Sequence, residues 1–161
     1  KLNFITVQDY LRTIARVYDS YRALPERNRL SLIEASERRW TSSPSFVYDR
    51  GMLVAFIYDL TLRQASGHKA SVEDVYSQLF RRAVVKRENG NEVIMSILNS
   101  SPGMSEFAEQ YVKSPSDIDL RTLLAPYGLM VHTADSQTRI VIEKELNAGQ
   151  RSLLQTLGHK P

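Results

Sequence analysis

The chain has 161 residues, of which 42% are hydrophobic and 24% charged, and its formal net charge is +3. That is enough apolar material for one real core, and no apolar run approaches the roughly 18 residues a membrane-spanning helix needs. Zero cysteines exclude disulfides and thiolate metal sites, and leave the compartment open.

The elements follow in order. Thr6 with Asp9 three residues on is an acidic variant of a capping box, and Val7, Leu11, Ile14, Tyr18 and Tyr21 recur at helical spacing behind it. Pro25 and Glu26 to Arg29 form a connector. Ser31 with Glu34 opens a second helix, expected to reach Trp40. After the Thr41 to Ser45 loop, Ser45 is expected to cap a helix from Phe46 to Ala65. It is apolar almost all the way round, so it must be buried, and Gly67 ends it. Ser71 and Asp74 start a fourth helix with Val72, Val75, Tyr76, Leu79, Phe80 and Ala83 on one core-facing side.

Glu88 to Asn91 is turn chemistry, with a fifth helix from Glu92 to Asn99. Ser105 caps a short helix to Val112. A last one carries Leu120, Leu123 and Leu124, with Gly128 just past its end. Leu129 to Val131 and Arg139 to Ile142 are β-rich runs around the polar Asp135 to Thr138, which predicts a hairpin. Gln150 to Leu157 predicts a final turn or two of helix. The fold class is therefore mainly α, a multi-helix bundle around a buried central helix, with a short β-hairpin near the carboxyl end. Residues 1–128 form the helical part and 129–161 a tail or linker.

The polar opening of the central helix, Tyr48-Asp49-Arg50-Gly51, carries the most functional information. With the apolar helix behind it, the tetrad resembles the glycyl aminopeptidase family of zinc metallopeptidases, which has Tyr-Asp-Lys-Gly there. Also similar, and in the same order, are Ile5 to Leu11, Leu60 to Arg63, Ser71 to Val75, Phe107 to Val112 and Leu123 to Leu129. The resemblance covers roughly residues 4 to 131. It implies a helical carboxyl-side part of a catalytic domain, expected to be an excised segment since it opens on Lys1. A PDZ domain often follows this point in that family.

In such enzymes a His-Glu-x-x-His motif and a downstream glutamate provide the zinc ligands and the base. His68, His132 and His159 have no such spacing, so no residue here is expected to bind metal. Zinc is the parent enzyme's cofactor, and the upstream half of the catalytic domain is the expected partner, with a peptide as substrate.

The resemblance makes Tyr48 the donor that stabilises the oxyanion of the tetrahedral intermediate. Phenols ionise only well above neutral pH, so such a donor is dependable. The competing reading is a half-buried tyrosine whose hydroxyl reaches a backbone carbonyl. Arg50 stands where the family has lysine and is a substrate-binding candidate; a planar fork for a point charge is not a neutral exchange. Gly51, costing about 1 kcal/mol inside a helix, is expected to admit a close backbone neighbour.

The 15 arginines and 6 lysines are interleaved with 18 acids, so a solvated surface is expected rather than nucleic-acid binding; the densest group, Arg81, Arg82, Lys86 and Arg87, ends a helix. The functional expectation is a piece of a zinc aminopeptidase removing amino-terminal residues, glycine or alanine, and inactive alone. The alternative is a non-catalytic helical interaction or scaffold domain.

Overall fold

In a computed structural model of the protein, residues 5–38, 40, 44–85, 89–101 and 104–160 are described. The fold is mainly α with one small antiparallel hairpin. Helix α1 spans Val7–Ala23, and the Thr6–Asp9 capping box forms in full. The expected stripe faces inward, with Val7, Leu11, Ile14, Tyr18 and Tyr21 all buried. Helix α2, Leu32–Glu37, is opened by the Ser31–Glu34 box but stops short of Trp40, closing on Arg38.

Helix α3, Pro44–Ala65, is the axis of the molecule. It starts at Pro44, so Ser45 lies inside the first turn instead of capping it. Proline suits this position because its missing N–H would have had no helical partner. From Leu53 to Leu62 almost every side chain is buried, including Leu53, Phe56, Ile57 and Leu60. Each such burial contributes about 1.5–3 kcal/mol. Gly67 then takes a left-handed φ of 59°, which ends the helix.

Helix α4, Val72–Val85, is anchored from below by α3. The buried Asp59 carboxylate accepts the Val72 backbone N–H at 2.7 Å and the Arg63 Nε–H at 2.8 Å. Val75 is buried as expected, but Tyr76 and Phe80 are not: they are 53% and 72% exposed. Nothing among the described elements packs on that part of the predicted core face.

Helix α5, Gly90–Asn99, begins two residues earlier than expected because the Asn89 side chain caps it, accepting from Asn91 N. Helix α6, Ser105–Ala108, lacks the predicted serine cap and widens into a π-helical turn over Glu109–Lys113. Ser114 holds that wide turn by donating both its N–H, at 3.1 Å, and its hydroxyl, at 2.9 Å, to the Glu109 carbonyl.

Helix α7, Leu120–Leu124, runs through a 3₁₀ turn, Ala125–Tyr127, to Gly128. Gly128 has φ 73°, a left-handed conformation that favours glycine, and a Cβ there would also push aside the end of the Leu146 side chain. Strands β1, Leu129–Ala134, and β2, Gln137–Ile142, pair in register Leu129↔Ile142 through Ala134↔Gln137. The turn is tighter than expected: Asp135 and Ser136 alone make it, both with positive φ. Helix α8, Ala148–Thr156, is opened by an Asn147–Gln150 capping box.

The segment read as a tail is built into the fold. Leu129, Val131, Ile140, Leu153 and Leu154 belong to the same buried cluster as Leu11, Ile14 and Leu60. The Asp19 carboxylate of α1 accepts the Thr138 N–H of β2 at 2.9 Å. Among the described residues no helix is long and apolar enough to cross a membrane.

Candidate functional site

The opening of α3 places its four polar or small residues on different sides of one helix. Tyr48 is 75% exposed, and its hydroxyl makes no hydrogen bond among the described residues. The half-buried tyrosine bonded to a carbonyl is therefore not what the structure contains. Asp49 faces α1, where the Ser20 hydroxyl donates to its carboxylate at 2.6 Å.

Arg50 corrects its expected role. It is 0% exposed, the largest fully buried side chain among the described residues. Nε and Nη2 donate to the Tyr111 carbonyl at 3.3 and 3.1 Å, and Nη2 also donates to the Ser114 carbonyl at 2.9 Å. Nη1 donates to the Arg27 carbonyl and the Tyr21 hydroxyl, both at 3.3 Å. The Phe46 ring lies 5.8 Å from the guanidinium carbon. A side chain with no surface and with its fork spread over four acceptors cannot meet a substrate here.

The Tyr111 carbonyl is open to that fork because Pro115, four residues on, has no N–H to offer it. Arginine suits this position, since one ammonium could not span acceptors on the Arg27 connector, within the π turn at Tyr111 and just past it at Ser114. No carboxylate touches the guanidinium. The nearest charge partner, Asp117, is reached through Tyr21, whose hydroxyl donates to Asp117 Oδ1 at 3.1 Å. Burial lowers the Arg50 pKa from its ordinary value. Burial likewise pushes the Tyr21 phenol up to about 12, so it stays a neutral donor and acceptor between the two charges.

On the other side of α3 lies a hollow of about 300 Å³, walled by α2, α3, α4 and α5. Val54, Ala55, Val75, Leu79 and Ile94 line it, as does Gly51. The expected close neighbour of Gly51 is absent: a Cβ built there would meet nothing within 4 Å. The glycine opens the wall of the hollow instead. Val47 lines it too, so Tyr48 is flanked on the helix surface by lining residues at 47 and 51, and Met52, 46% exposed, lies one turn further on.

Among the described residues no three or more histidine, aspartate or glutamate side chains gather to hold a metal ion. His68 lies in the turn after α3, His132 on β1 and His159 beyond α8. Sequence reasoning missed Tyr21, Asp117 and the Arg27 carbonyl as the setting of Arg50; with separations of 23 to 96 residues, no local pattern marks them. No protein-family model, curated protein or solved structure matches the chain.

Proposed function

We propose that this chain is the helical carboxyl-side part of a zinc aminopeptidase resembling the glycyl aminopeptidases, which removes amino-terminal residues, glycine or alanine, from peptides. The observation that supports this reading best is the hydroxyl of Tyr48, exposed at the opening of a largely buried helix, an opening fixed by Arg50 two residues on. A phenol with no partner among the described residues can give its hydrogen bond to a substrate carbonyl, and that bond strengthens as the oxygen gains negative charge. Zinc and the general base belong, on this reading, to polypeptide upstream of Lys1, and the 161 residues are inactive alone.

The test is the turnover of a protein that includes the preceding polypeptide. Tyr48→Phe is expected to lower kcat roughly a hundredfold or more with KM little changed, since one such donor contributes about 2.7–4 kcal/mol. Wild-type turnover in that variant removes the assignment.

A second reading, a non-catalytic helical interaction domain, is favoured by one feature. Tyr48, Met52, Tyr76 and Phe80 all leave large apolar surface exposed on α3 and α4, two of the helices that wall the hollow. The upstream polypeptide separates the two readings: a His-Glu-x-x-His motif followed by a glutamate supports the peptidase, and its absence supports the interaction domain.

A further inference from the structure

We infer that the hollow between α2, α3, α4 and α5 is a binding site for a medium-chain acyl group carrying an uncharged, carbonyl-containing head. The inference stands apart from the role of Tyr48 and holds on either reading of the protein's function.

Three observations carry it. The first is the chemistry of the wall. Among the described residues no charged side chain lines the hollow; its lining is aliphatic or aromatic apart from Gly51, Ser36 and Asn91. A charged group placed there would lose its hydration with nothing to replace it, whereas an aliphatic chain gains from leaving water.

The second is size and polarity at one end. A volume of about 300 Å³ holds roughly ten groups the size of a water or a methylene. It also lies at the lower bound of ordinary ligand sites. The one proton of the Ser36 hydroxyl faces the Ile33 carbonyl at 2.8 Å and, more weakly, Asn91 Oδ1 at 3.2 Å, and the Asn91 amide N–H₂ has no partner among the described residues. Ser36 and Asn91 also border a second, more polar hollow of about 300 Å³ with Glu37, Asn89 and Gly90. The free amide thus sits where the apolar hollow meets a polar one, which suits a chain inside and a carbonyl oxygen at the junction. Glu37 at that end disfavours an anionic head.

The third is Gly51. A glycine within a helix costs about 1 kcal/mol relative to alanine. Here no turn, positive φ or backbone neighbour requires it, and the space its missing side chain leaves is the open wall of the hollow.

Titration calorimetry of the 161-residue chain with monooctanoylglycerol tests the assignment. Saturable one-to-one binding is expected, at least tenfold weaker for monobutanoylglycerol and for the octanoate anion. Gly51→Leu fills the opening and is expected to weaken binding at least tenfold while the melting temperature holds or rises. Asn91→Ala is expected to weaken it severalfold.

Absence of saturable binding, or equal binding by Gly51→Leu, overturns the site. Equal binding of octanoate overturns the uncharged head. Sedimentation gives a further arm: a dimer that Gly51→Leu splits would make a second copy the occupant. Loss of binding when the preceding polypeptide is attached would make the hollow a packing surface. Either result rejects the acyl ligand.

Discussion

Arg50 and Tyr48 stand two residues apart on one helix and have opposite fates. Arg50 has no exposed surface and meets four acceptors from three other segments, while Tyr48 is three-quarters exposed and meets none. The difference lies in what the rest of the chain brings to each side of α3. Toward Arg50 come the Tyr21 hydroxyl of α1, the carbonyl of the Arg27 connector, and the Tyr111 and Ser114 carbonyls at the π-helical turn. Toward Tyr48 and Gly51 come only the edge of an apolar hollow and solvent. A polar residue at the mouth of a buried helix is therefore structural or available according to its partners, and its type alone does not decide which.

Substitution of Arg50 should break this contrast most severely. Arg50→Met strands the Tyr111 and Ser114 carbonyls in the interior, and urea unfolding is expected to show a loss of about 3–5 kcal/mol. Arg50→Lys keeps the charge but reaches fewer acceptors, so about half that loss is expected. A neutral Arg50→Met result would show the fork to be dispensable.

Alkaline pH attacks the same hub more gently. Tyr21 holds its proton more tightly folded than unfolded, because its pKa rises from about 10 to about 12. Its contribution is complete below pH 10 and is lost as pH climbs toward 12. The ceiling is about 2.7 kcal/mol. Denaturant titrations at pH 9 and pH 11.5 should show the drop, and Tyr21→Phe should reduce it. Burial also raises Tyr10, Tyr18, Tyr58 and Tyr111, so some of the decline persists in that variant.

The open side should respond in the opposite sense. Gly51→Ala is expected to raise stability by about 1 kcal/mol, because the new methyl meets nothing and the helix gains propensity. A fall in thermal stability would mean that the wall is closed in solution.

Much of the fold could be read from local chemistry. The Thr6–Asp9 and Ser31–Glu34 boxes, the apolar α3, and Gly67 and Gly128 as stops each depend on residues a few positions apart. The errors came where distant segments decide. Phe80 and Tyr76 keep perfect helical spacing, yet the pattern cannot say whether a partner covers them. The tail looked like a linker because two short strands and a short helix are weak signals singly. Its cohesion with α1 and α3 comes from pairs such as Asp19 and Thr138, 119 residues apart. Of the candidate site, the position of Tyr48 was legible and the enclosure of Arg50 was not, since its acceptors are backbone carbonyls that leave no mark in residue type.

The most direct measurement takes Tyr48→Phe in a protein carrying the preceding polypeptide and records turnover and urea stability together. An exposed hydroxyl with no partner should leave stability within about 0.5 kcal/mol, while kcat falls roughly a hundredfold. Unchanged turnover would contradict the catalytic role. A large loss of stability would contradict the premise that this phenol is free.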